Sequence, residues 1–299
     1  MLRKIKATAL TALAVAVVGA GLTGCDEDAM DDWDPFAASP KAEIASFEGT
    51  KKLDVGGKSV NVSCSGAAAD GEPVVVLLHG GGDGLDKMAA LQKTLSKENR
   101  VCSYDRLGAG ASAKPDGPQS FASTGKVLTG VLDQVAGDDP VVLAGHSLGG
   151  LIAARYAPDH QDRVKGLVLM DATPSTMVAD IRREIPESAQ GPAAELRAQN
   201  IAVFQGQNPE QLVIEDGKVR PAGDIPVEVI KHGQPYLAAV PQYGQGLEDA
   251  WTAGQRKWLE LSSKSKLTVA EKSGHYIYVD TPDVAVQAVR RVASQAAGE

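Results

Sequence analysis

Histidine and cysteine are scarce, with five histidines and three cysteines in 299 residues. No set of His, Cys, Asp and Glu stands at metal-ligand spacing, so neither a zinc centre nor any other metal site is expected. The glycines at 80–84 precede a helix-like stretch but lack the Lys-Ser/Thr of a phosphate-binding loop. No cofactor is implied. Basic residues are outnumbered: 30 Lys and Arg against 38 Asp and Glu leave a net charge of −8. An acidic chain without basic clusters is a poor match for nucleic acid. The apolar stretch at residues 7–21 falls short of the ~20 residues that span a membrane. No repeat with a period of about 20–50 residues is present. The length does suffice for one large α/β domain or two small ones, and the hydrophobic content of 43% allows a core.

The start of the chain reads as an address. Arg3, Lys4 and Lys6 precede the apolar stretch, and Leu22-Thr23-Gly24-Cys25 follows it. This layout fits a secretory signal over residues 1–24. The tetrapeptide resembles the lipobox of bacterial lipoproteins, whose cysteine receives the lipid and becomes the first mature residue. The resemblance implies a lipid anchor at Cys25, attachment to the bacterial cell membrane and a position outside the cytoplasm. Several acyl chains, at ~0.8 kcal/mol per buried CH₂, hold a protein stably. Residues 25–43 open on the acidic run Asp26-Glu27-Asp28 and are expected to be a disordered tether.

Beyond the tether, short apolar runs alternate with helical periodicity. Strands are expected at 44–55, 58–65, 74–78, 100–104, 141–144, 164–170, 227–230 and 266–271. Helices are expected at 85–97, 123–136, 151–157, 246–261 and 281–294. Gly56-Gly57 joins the first two strands as a hairpin. The alternation predicts an α/β fold, a mostly parallel sheet with helices on both faces, over residues 44–171 and 224–296. Residues 172–223 break the pattern. They hold two helix-like pieces, 177–185 and 193–205, and no convincing parallel strand. They read as a helical cap inserted over the strand ends.

The run Val141-Val142-Leu143-Ala144 ends in Gly145-His146-Ser147-Leu148-Gly149, and a helical stretch follows. Strand, tight Gly-x-Ser-x-Gly turn and helix are the setting of a nucleophile elbow. Three further motifs stand in order: His79-Gly80-Gly81, Asp105-Arg106-x-Gly-x-Gly-x-Ser112, and Ser273-Gly274-His275. Together the four resemble the α/β-hydrolase family from about Phe47 to Ser294.

A serine hydroxyl needs a base to become nucleophilic. The resemblance places that base at His275, after the last strand. It gives His79 a structural part, leaves His232 as a secondary candidate, and has His146 pointing away from the hydroxyl. His160 lies in a polar loop. Family members carry the acid after the strand that follows the serine helix, or after the next one. Asp171 fits the first place. The second holds no carboxylate before Glu248 and Asp249. For the oxyanion, the resemblance points to the N–H groups of Leu148 and Gly81. Asp105 and Arg106 are expected to fix their loop as an ion pair. The second strand of this fold lies beside the one at 101–104, which implies a Cys64–Cys102 disulfide. The expected activity is that of a serine hydrolase cleaving a small-molecule carboxylic ester through an acyl-enzyme. An amidase or aminopeptidase of the iminopeptidase type is the alternative, and a binding module on an inactive hydrolase fold a more distant one. Epoxide hydrolase and dehalogenase activities are disfavoured, because those relatives carry aspartate at the position of Ser147.

Overall fold

Val74 to Leu78 contains no polar residue, and all five side chains are buried. Successive residues of a strand point to opposite faces. Val74, Val76 and Leu78 therefore enter one core, and Val75 and Leu77 enter another. A strand buried on both faces belongs at the centre of a parallel sheet. The computed structural model, which describes residues 47–69 and 71–298, places it there.

The strands are β1 (Gly49–Val55), β2 (Lys58–Ser65), β3 (Val74–Leu78), β4 (Val101–Tyr104), β5 (Val141–His146), β6 (Val164–Met170), β7 (Val227–His232) and β8 (Ser265–Ala270). They form an eight-stranded sheet in the order β1-β2-β4-β3-β5-β6-β7-β8. β1 and β2 are antiparallel to each other, and β2 is antiparallel to β4. The remaining pairs are parallel. Gly56 and Gly57 both take positive φ, 59° and 80°, as a two-residue hairpin turn requires.

The helices are α1 (Leu85–Leu95), α2 (Phe121–Val135), α3 (Leu148–Tyr156), α4 (Met177–Glu184), α5 (Pro192–Phe204), α6 (Gly244–Lys257), α7 (Ile277–Asp280) and α8 (Pro282–Ala297). α1 and α8 cover one face through Met88, Leu91, Val289 and Val292. α2 and α3 cover the other through Leu128, Leu132, Leu151 and Ile152. Ser120 caps α2, and its side chain and that of Ser123 satisfy each other's backbone N–H groups. α8 starts on Pro282 and stops at Gly298, which is left-handed.

Residues 172–223 contain α4 and α5, with isolated bridges at Gln119–Leu212 and Gln205–Val213 in place of a further sheet strand. Among the described residues, no helix is long and apolar enough to cross a membrane. The signal segment, the lipidation site at Cys25 and the tether up to residue 43 lie outside the described residues. The strand expected from residue 44 is observed from Gly49. The strand expected to end at Ile230 continues to His232, because its backbone stays paired with β8 as far as Ala270.

Cys64 and Cys102 face each other across β2 and β4 and form a disulfide with a sequence separation of 38. Closing a loop of that length restricts the unfolded chain. Replacing both cysteines by alanine is expected to lower stability by about 3–4 kcal/mol in urea unfolding. A change under about 1 kcal/mol would show that this bond does not restrain the unfolded state.

Candidate active site

Ser147 sits between β5 and α3 with φ 50° and ψ −119°, a conformation that L-residues avoid. Its neighbours enforce it. A Cβ on Gly145 would lie 2.5 Å from the Gly149 carbonyl group, and one on Gly149 would lie 2.3 Å from the Leu78 oxygen. The glycines are needed so that the helix can pack directly on the strands. The Ser147 N–H donates to Met170 O at 3.1 Å, and its carbonyl accepts from Thr173 N at 3.0 Å. Its hydroxyl lies 3.4 Å from that of Thr173.

Asp171 follows β6 with φ 45° and is fully buried. Its Oδ2 is 2.7 Å from His275 Nδ1. Its Oδ1 accepts from Trp251 Nε1 at 2.9 Å, from His232 Nδ1 at 2.8 Å and from His232 N at 3.2 Å. Burial pushes the carboxyl up, but the hydrogen bonds from His232 and His275 outweigh it and hold the group at about 2. An ionised carboxylate only accepts, so His275 Nδ1 carries the proton and Nε2 is the basic nitrogen. The Tyr236 hydroxyl also approaches Nδ1, at 3.3 Å.

Ser147, Thr173 and His275 line one cavity of about 730 Å³, with Gly81 and Leu148 beside them. The far walls come from α4, α5 and α6, through Ile181, Leu196, Phe204, Leu247 and Trp251. No lysine or arginine is among the described lining residues.

The other histidines are accounted for. His146 is buried and points its Nε2 at the His275 carbonyl, 3.0 Å away, with the two rings 4.5 Å apart. Burial first, and then the neighbouring His275, push its pKa down to about 3. His79 donates from Nδ1 to Gly80 O and accepts the Arg106 N–H. His160 packs edge-on against Tyr156, outside the cavity wall.

One expectation is corrected. Asp105 and Arg106 do not pair with each other, because adjacent residues at a strand end project to opposite sides. Asp105 instead accepts from Asn61 Nδ2, Leu85 N and Ala111 N at 2.7–2.9 Å. Arg106 reaches Glu210 with two bonds of 2.7 and 2.8 Å, and donates to the carbonyls of His79 and Gly80. Sequence reasoning missed Glu210, Thr173, Tyr236 and Trp251. Trp251 had one readable sign, its i,i+3 spacing from Glu248, which puts both on one face of α6.

His146 generates a pH prediction. Unfolded, its imidazole titrates near 6.5, whereas folded it refuses a proton until about pH 3. Stability is therefore lost as pH falls from 6.5 towards 3, by roughly 2 kcal/mol between pH 7 and 5 from this residue. In urea unfolding at the two pH values, His146→Gln should lose less stability than the parent by about that amount. Equal losses in both proteins would refute the assignment.

A family model described as alpha/beta hydrolase fold matches residues 73–209. The chain is 32% identical over 100 residues to the human (lyso)-N-acylphosphatidylethanolamine lipase, covering 32% of this chain and 29% of that protein. It is 34% identical over 119 residues to a proline iminopeptidase of Saccharolobus solfataricus, covering 38% of each. These matches span well under half of the relatives' length. Among solved structures, the enol-lactonase from Burkholderia xenovorans LB400 superposes with a TM-score of 0.60 at 19% identity, covering 82% of this chain and 100% of that one. Strand order, the turn at Ser147 and these matches make the chain an α/β-hydrolase in fold.

Proposed function

We propose that the chain is a serine hydrolase acting on small carboxylic esters with an uncharged, apolar acyl or alcohol part. The observation that carries this reading is His275, held 2.7 Å from a buried, ionised Asp171 while sharing the apolar cavity with Ser147. Ser147 Oγ attacks the ester carbonyl as His275 Nε2 takes its proton. The tetrahedral oxyanion is met by the N–H of Leu148, in the first turn of α3, and by that of Gly81. His275 returns the proton to the departing alcohol. Water, deprotonated by the same nitrogen, then releases the acid from the acyl-serine. Small apolar esters fit a wall of this composition, and the missing cations leave nothing to hold an anionic acyl group.

A specific observation favours the amidase alternative. Asp83 lines the cavity, and its Oδ2 is buried without a hydrogen-bond partner among the described residues. A carboxylate there could receive a substrate ammonium group, as an aminopeptidase needs. Lipidation at Cys25 and a place outside the cytoplasm belong to the same proposal. The Cys64–Cys102 disulfide supports the place outside the cytoplasm, because such bonds persist in oxidising compartments.

A fluorophosphonate probe is expected to label the protein at Ser147 and to leave Ser147→Ala unlabelled. Asp171→Asn should lower kcat on p-nitrophenyl butyrate on the order of 10³–10⁴-fold. Turnover of prolyl p-nitroanilide faster than of the ester, abolished in Asp83→Asn, would instead select the aminopeptidase. An unlabelled, inactive wild-type protein would reject both.

A further inference from the structure

Asp171 is shared by two histidines, and the second has a carboxylate of its own. His232 closes β7, the strand after which other family members carry the acid. Its Nδ1 lies 2.8 Å from Asp171 Oδ1, and its Nε2 lies 2.8 Å from Oε2 of Glu248, on α6. The side chain is 1% exposed, against 0% for Asp171 and 8% for Glu248. Both nitrogens thus face carboxylates, away from water. Glu248 Oε1 accepts two further bonds, from Leu237 N at 2.6 Å and Ala238 N at 3.3 Å. The two backbone donors hold Oε1 and leave Oε2 facing the ring.

We infer that His232 is a positioning residue, held as an imidazolium between Glu248 and Asp171, which fixes the Asp171 carboxylate and withholds part of its charge from His275. The inference rests on the serine-hydrolase reading and adds a second link behind the acid. Burial pushes the His232 ring down, but its bonds to Asp171 and Glu248 outweigh burial and raise it from its ordinary value. Of the remaining groups around the ring, only Lys231 carries charge of the same sign. Tyr236 packs edge-on at 4.8 Å, and Trp251 lies 6.4 Å away with its N–H turned to Asp171. The Lys231 ammonium lies on the His232 carbonyl at 2.9 Å, and His275 stands beyond the Asp171 carboxylate.

The electrostatic consequence has a definite sign. A cation against one oxygen of Asp171 weakens the attraction that the other oxygen exerts on an imidazolium at His275. The charge that Asp171 presents to His275 is therefore smaller than that of an unpaired aspartate. The same chain reaches the substrate wall, because Glu248 holds the backbone of Leu237, which lines the cavity next to Tyr236.

Two measurements test this. Nitrogen-15 NMR of histidine-labelled protein at pH 7 should show protons on both His232 ring nitrogens, and on Nδ1 alone in Glu248→Gln. This readout needs no substrate. In the kcat/KM profile on p-nitrophenyl butyrate, Glu248→Gln and His232→Asn should each move the acid limb upward by about half to one pH unit. His232→Asn keeps an N–H for Asp171, so it separates charge from the loss of the hydrogen bond. A singly protonated His232 in the wild-type protein would overturn the inference, as would an acid limb unmoved in both variants while turnover persists. A wild-type protein inert to esters would instead count against the serine-hydrolase reading, and the ring measurement would still decide the charge of His232.

Discussion

The carboxylate of Asp171 has no access to water. An ion taken out of water is tolerated only when hydrogen bonds replace its hydration. Here the donors come from the end of β7, from α6 and from the loop after β8. Satisfying one buried group therefore fixes three separate segments against the end of β6. This constraint holds His275 through Nδ1, with the residue in the cavity wall. It also explains why Asp171 keeps a positive φ, which is tolerated only where surrounding contacts over-determine the backbone.

A second buried charge organises the opposite wall. Arg106 is 2% exposed and holds Glu210 in two bonds, while it also ties down the carbonyls of His79 and Gly80. One guanidinium thus joins the loop that leads to Gly81 with the segment that follows α5. Its planar fork suits this task, since its donors reach several acceptors without rotating. Leaving either partner alone in that position would strand a buried charge, so the loop and the segment after α5 are positioned together. The cavity is what remains between these two fixed walls. Much of its apolar lining comes from α4, α5 and α6.

The sheet was largely legible. β3 is an apolar run whose ends are those of the strand, and β6 has its expected bounds, whereas β5 continues through Gly145 and His146 beyond its apolar run. The turn at Ser147 was legible as well, because its glycines are demanded by local sterics within a few residues of chain. Boundaries set by distant pairing were less so. β7 continues to His232 because β8 supplies its partners, and nothing within residues 227–232 announces that. The ion pair expected between Asp105 and Arg106 failed for a related reason: adjacency in sequence is not adjacency of side chains on extended backbone.

What the sequence determined by itself is what depends on short-range geometry: which runs become strands and where the tight turn falls. What only the tertiary structure decided is partnership. That Arg106 meets Glu210, that Trp251 and His232 complete the shell of Asp171, and that Glu248 stands behind His232 are contacts between residues from 16 to 104 positions apart. Electrostatic pairing acts through space and leaves no periodic trace along the chain, so these partners become visible only once the sheet has brought them together.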